Sequence, residues 1–182
     1  MFAIDELVGE CQTAIREAQP ALAVRDVLRR VLDRPGEVAD AFGAKDGGLN
    51  LVHVSPELTV LHVTWAPGMR LFPHNHEMWA VIGIYGGQED NTFYRRDGQG
   101  LVESGGKALS EKDVLVLGDD AIHAVANPLQ RLTGAIHVYG GDFVSQPRSQ
   151  WPPETLIEEP YDMGRVNQQF AEANERWKTG NS

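Results

Sequence analysis

The chain has 182 residues, enough for one domain with a real core, and carries 26 Asp and Glu against 16 Lys and Arg, for a formal net charge of −10. The basic residues are scattered and not massed into a stripe, which excludes a nucleic-acid backbone as the expected partner and favours a small soluble metabolite. Cys11 is the only cysteine, so no intrachain disulfide can form and a reducing compartment, the cytoplasm, is expected; the acidic "MFAIDELVGECQTAIREAQP" does not read as a secretory signal, and no apolar run approaches the ~18 residues of a membrane helix.

Ile4, Leu7, Val8, Cys11, Ile15 and Ala18 recur at three- and four-residue intervals, with Asp5 and Glu6 where a helix dipole favours them. This predicts an amphipathic helix. Pro20 opens a second one, with Val24, Val27, Leu28 and Val31 on one face and "DRPG" closing it, and a short third helix is expected over "EVADAFG". From Leu49 the period changes to two, in "LNLVHV", "ELTVLHVTW", "MWAVIGIY", "DNTFYRR", "DVLVLG", "HAVAN" and "LTGAIHVYGG", separated by turn residues. Many short strands at near-regular spacing predict an all-β barrel or jelly roll. The segment from Trp151 to Pro160 should be extended, and Val166, Phe170, Ala173 and Trp177 mark a last helix expected to pack on the outside of the barrel. The expected organisation is one domain, with helices over 1–46, a barrel over 47–160 and a helix over 161–182; nothing in the pattern specifies an oligomeric state.

In "PHNHEMW", side chains two apart in a strand share a face, so His74 and His76 point together while Glu77 points the other way. Such a pair either chelates a metal or is merely hydrogen-bonded at a strand end. Gly68, five residues, then His74-x-His76, with Gly86 or Gly87 beyond, is similar to the first motif of the cupin superfamily, and "HAVAN", with His123 and Asn127, to the second. The resemblance implies a double-stranded β-helix, a jelly-roll barrel. The usual carboxylate ligand of that motif aligns with Val81, which cannot ligate, so the implied site is three neutral histidines: His74, His76 and His123. Uncharged ligands leave a divalent cation with its full charge and open positions, which suits an anionic chelating guest.

"GAIHVYGGDFVSQPR" puts His137 and Tyr139 on one face of the last core strand, either as a catalytic pair or as a structural one. His-x-His, a later His, then His-x-Tyr resembles the thiol dioxygenases, three-histidine iron cupins that add both atoms of O₂ to a thiol, and most of all their bacterial branch, over about residues 50 to 150. Carried over, His74, His76 and His123 would hold Fe(II), with Zn, Ni, Mn or Co also admitted by the donor set. Tyr139 would donate a hydrogen bond beside substrate or O₂, His137 would support Tyr139, and Arg148 would pair with the carboxylate of a small mercapto-acid. Three positions depart from that pattern. Ala135 stands where the bacterial branch has a relay serine, Val81 where animal cysteine dioxygenases have a crosslinked cysteine, and no arginine lies near Leu49, where those enzymes hold the substrate carboxylate. The same scaffold also serves non-oxidative chemistry with another divalent metal, or plain binding of a small acid. His53 and His62 read as structural, Trp65 and Trp79 as core or pocket wall, Arg95 and Arg96 as a solvated strand edge with an inward Arg95 as an alternative carboxylate partner, and Arg70 as a similar reserve.

Overall fold

A computed structural model describes residues 2–98 and 100–180. Three helices, α1 (Ile4–Ala14), α2 (Pro20–Val31) and α3 (Pro35–Phe42), precede strands β1 (Gly48–Val54), β2 (Thr59–Trp65), β3 (Arg70–Asn75), β4 (Ala80–Gly86), β5 (Gln88–Asp97), β6 (Gly100–Ser110), β7 (Val114–Leu117), β8 (Ile122–Ala126) and β9 (Thr133–Tyr139). Two short strands, β10 (Ser149–Gln150) and β11 (Glu159–Pro160), then lead into α4 (Met163–Gly180). The first helix stops short of Ala18, because the residue before Pro20 is disfavoured in helix and the chain must turn before α2. Proline at 35, expected in a closing turn, instead opens α3, its missing N–H harmless in a first turn, and Gly43 ends that helix in the left-handed region at φ 55°.

The strands form two antiparallel sheets, in the orders β1-β2-β9-β4-β7 and β11-β10-β3-β8-β5-β6. Setting aside the additions at the edges, the eight strands β2 to β9 take jelly-roll order, changing sheet at every connection except the β5–β6 hairpin, so the barrel expectation holds as a double-stranded β-helix with flanking helices. The β6 strand was not legible in "LVESGGKALS" because it is an exposed edge, polar and glycine-rich, with little apolar alternation.

The first sheet is apolar on both faces. Every residue of β2 and β9 is buried, and alternate side chains serve different cores. Leu61, Val63, Ile82, Ile84 and Ala135 join the interior between the sheets, whereas Val60, Val81, Ile136 and Val138 pack against Leu7, Val24 and Leu28 of the helices. The last helix lies against the barrel with most of its residues exposed, and Val166, Phe170 and Ala173 join the interior cluster, Phe170 stacking on Trp65 with ring centroids 5.4 Å apart. Asn174 secures it to β1 by accepting from Gly47 N at 2.8 Å and donating to Gly47 O at 2.9 Å.

His62 belongs to the helix-facing side of β2. Its Nε2 lies 2.7 Å from the Tyr85 hydroxyl, and its ring stacks on Phe42 at 4.0 Å. A Cβ at Gly134 would run into the Tyr85 ring and disturb this cluster. Gly134→Ala is therefore expected to cost about 1–3 kcal/mol through overpacking, read as a lower thermal midpoint, with the Tyr85→Phe variant showing the smaller loss.

Candidate metal centre

The β3 strand delivers His74 inward, and antiparallel pairing sets it directly opposite His123 of β8. His76 lies one residue beyond the end of β3, where Glu77 takes φ 55°, yet its ring turns into the same space. Ring centroids are 5.1 Å apart for His74 and His76, 4.7 Å for His74 and His123, and 5.0 Å for His76 and His123. One nitrogen from each of the three rings lies within 4.8 Å of the other two. All three are buried.

Proton placement around these rings suits a cation. His74 Nδ1 lies 3.0 Å from the Phe72 carbonyl, which can only accept, so His74 Nε2 is left with its lone pair. The nitrogens His123 Nε2 and His76 Nε2 sit 3.3 Å apart, and His76 Nδ1 is buried with no hydrogen-bond partner. At metal–nitrogen distances of about 2.0–2.1 Å, a tetrahedral ion puts neighbouring ligand nitrogens about 3.3 Å apart, which matches the observed pair. The donor set therefore fits a divalent metal. Burial, reinforced by mutual repulsion, drives the pKa of His76 and His123 well below the ordinary imidazole value and that of His74 to about 4, so all three are neutral ligands near pH 7.

Neither motif carboxylate contributes. Glu77 is exposed, as the two-residue arithmetic required. Val81 corrects the alignment made from sequence: it faces the helices, while its neighbours Ala80 and Ile82 face the interior, so Val81 was never the spatial equivalent of a ligand. Leu49 lines the cavity and supplies no cation there. Asn127 of the second motif is structural, its amide bonding the Trp65 and Ala66 carbonyls at 3.0 and 3.1 Å.

His137 and Tyr139 project into the same cavity from β9 of the opposite sheet, and Tyr139 has its ring 5.0 Å from that of His76. Burial raises the Tyr139 phenol far above its ordinary range. Its hydroxyl is 3.1 Å from His137 Nδ1, and His137 Nε2 is 3.3 Å from a carboxylate, Glu89 Oε2. Sequence reasoning missed Glu89. It sits in β5, fully buried, and also accepts from Trp65 Nε1 at 2.6 Å and Asn91 Nδ2 at 3.0 Å. Burial alone would raise its pKa, but the bonds from His137, Asn91 and Trp65 outweigh that and hold it below the usual carboxylate value. The available signal was inward alternation in "EDNTF", with Glu89, Asn91 and Phe93 on one face, masked by a polar composition that reads as a turn. A carboxylate cannot donate, so the Nε2 proton of His137 points at Glu89; in the neutral ring Nδ1 then accepts from Tyr139, and the phenol oxygen turns a lone pair to the cavity.

Arg148 lies at the mouth. Its guanidinium is sandwiched between Phe143 and Tyr161, 4.0 Å from each ring centre, and Nη1 donates to the Phe143 and Gln146 carbonyls at 2.6 and 3.1 Å. Its Nε is buried without a partner. Tyr161, also missed, opens the stretch assigned from sequence to the last helix, and instead precedes α4. The cavity enclosed by these residues is about 20 Å³, room for roughly one water or ion, so a larger guest needs Phe143, Arg148 or Tyr161 to shift. The reserve arginines go elsewhere. Arg70 and Arg95 are exposed, and Arg96 pairs with Glu158 at 2.9 Å. Trp65 lines the cavity, whereas Trp79 packs on the helix side. Burial pushes the Cys11 thiol up to about 12, far from the site and from nucleophilic use.

No family model matches the chain. Among solved structures it is similar to a double-stranded β-helix protein of Klebsiella pneumoniae, at 13% identity over 53% of this chain and 78% of that one with a TM-score of 0.42. It is also similar to an RmlC-like cupin of Methanocaldococcus jannaschii, at 10% identity over 55% and 84% with a TM-score of 0.44. The cupin domain of Schizosaccharomyces pombe Cnp3 matches at 8% identity over 55% and 66% with a TM-score of 0.46. These likenesses are of fold, over about half of this chain. No helix among the described residues is long and apolar enough to cross a membrane.

His123→Ala is expected to abolish tight metal binding, since two imidazoles remain, with metal content of the reloaded protein as the readout. Acid should weaken the metal-free protein. The folded-state pKa of His62 and of His74 lies at about 4, below the unfolded value of 6.5, so the unfolded chain binds more protons as pH drops. Their stabilisation is complete above about pH 6.5 and is lost as pH falls towards about 4. Thermal midpoints of the chelated protein should decline across that window, and a flat profile would contradict the burial-induced shifts.

Proposed function

We propose that the protein is a thiol dioxygenase-like enzyme that oxidises a small mercapto-acid to its sulfinate with O₂, using Fe(II) held by His74, His76 and His123. The observation that carries this reading is convergence: three neutral imidazoles and the Tyr139–His137 pair line one cavity, and the Arg148 cation sits between two of its lining rings, Phe143 and Tyr161. Bound ferrous iron supplies an anchor for sulfur and the redox partner for O₂. The charge balance favours a dianion, because the ligands are uncharged and Arg148 opposes the Glu89 carboxylate.

Once Phe143 or Tyr161 shifts to admit the guest, Arg148 meets the substrate carboxylate through its Nε and Nη2 donors, since Nη1 is engaged by the Phe143 and Gln146 carbonyls. The Tyr139 oxygen accepts the thiol proton as its own hydroxyl proton passes to His137 Nδ1, 3.1 Å away. Trp65, Leu61 and Leu71 wall the cavity and keep water out. The overall change balances as thiol plus O₂ giving sulfinic acid, with sulfur oxidised and both oxygen atoms transferred. A second reading is supported by the buried Glu89–His137 pair, which would serve as general base for metal-dependent chemistry without O₂.

An oxygen electrode and a panel of thiols that includes 3-mercaptopropionate and cysteine test the choice. Iron-loaded protein should consume one O₂ per thiol and yield sulfinate by mass spectrometry. Turnover under anaerobic conditions supports the second reading, and binding without turnover leaves a small-acid-binding protein. Tyr139→Phe should lower turnover about 10²-fold at unchanged iron content; loss of iron in that variant would make Tyr139 structural.

A further inference from the structure

Glu89 is the one carboxylate buried among the described residues, and it touches both halves of the site. Its two oxygens only accept, and their partners divide cleanly. Oε1 takes a hydrogen from Asn91 Nδ2 at 3.0 Å, which orients the amide so that Asn91 Oδ1 faces His123 Nδ1 at 2.7 Å. An amide oxygen accepts, so His123 carries its proton on Nδ1 and turns the Nε2 lone pair to the cluster. Oε2 takes the Trp65 indole N–H at 2.6 Å and faces His137 Nε2 at 3.3 Å, so the His137 proton sits on Nε2 and Nδ1 is left to receive the Tyr139 hydroxyl. Each bond direction follows from the last, and the series starts at Glu89.

We propose that Glu89 is the positioning residue of this centre: through Asn91 it keeps His123 in the tautomer that can ligate a metal, and through His137 it sets the direction of the Tyr139 hydroxyl. This rests on the reading of His74, His76 and His123 as a metal centre and not on thiol oxidation. It also accounts for Ala135, since the far nitrogen of His137 already has a partner in Glu89 and needs no serine.

The test exploits the polarity of the series. In Glu89→Gln the amide oxygen must still accept from Trp65, whose indole can only donate, so the amide NH₂ meets Asn91. Asn91 then flips and offers N–H to His123, which moves its proton to Nε2, the ligating atom. Zinc(II) affinity, measured by competition with a chromophoric chelator, should fall about 10–100-fold. Adding Asn91→Asp restores an acceptor towards both the introduced amide and His123, so the double variant should recover affinity to within a few-fold of the parent, a rescue that general loosening of the barrel would not give. Wild-type zinc affinity in Glu89→Gln, or no recovery in the double variant, overturns the proposal.

Should Glu89→Gln not fold by circular dichroism, the unmodified metal-free protein carries the test through nitrogen-15 imidazole spectra. His123 should appear as the Nδ1–H tautomer and His137 as the Nε2–H tautomer; an Nε2–H tautomer at His123 overturns the proposal. Neither measurement involves thiol or O₂, so absence of thiol oxidation would leave it standing, whereas failure of the parent protein to bind zinc would remove the metal reading beneath it.

Discussion

Everything in the interior depends on satisfying polar groups where no water can reach them. Four imidazoles, a tyrosine hydroxyl, an asparagine and a carboxylate are all buried within a mostly apolar barrel, and each unpaired one would cost about 1–3 kcal/mol or more. The solution is a continuous series of hydrogen bonds from Trp65 and Glu89 out to His123 on one side and Tyr139 on the other. What the series leaves open is the facing pair of His76 and His123 Nε2 atoms, 3.3 Å apart. The polar deficit thus marks the place a cation would fill.

Jelly-roll topology makes that arrangement possible because it sets strands distant in sequence side by side. Strand β8 lies between β3 and β5, so one strand's histidine reaches the His74 pair on one flank and the Asn91–Glu89 pair on the other. The opposite sheet contributes β9, which faces the three imidazoles with His137 and Tyr139. The three histidines that could hold a metal and the His137–Tyr139 pair therefore come from different sheets, and rigid packing between the two layers holds their separation.

The remaining elements close the space. Helix α4 fills one end through Phe170 against Trp65, and the segment around β10 and β11 brings Arg148 and Tyr161 over the mouth, with Gln150 paired to His74. Helices α1 to α3 cover the outer face of the first sheet, which explains why β2, β4 and β9 are apolar on both sides. The alignment of Val81 rested on motif spacing alone, and a strand with no polar face gives no clue, from composition, to which residues look inward.

The amino-acid order alone was enough for the class of fold, the two histidine motifs and the shared face of His137 and Tyr139, because these follow from two-residue periodicity and from short spacings that local geometry enforces. Arg148 was legible only as a candidate, since its place depends on the path of a loop. The tertiary structure decided what long-range packing controls: that Glu89 and Asn91 of a polar-looking hairpin turn inward, that Tyr161 returns to the site from a distant tail, that Val81 faces out, and that Phe170 of α4 reaches the interior. The physical reason is common to all four. A side chain's direction within a strand is written locally, but which face becomes the interior is settled only when the sheets close on each other.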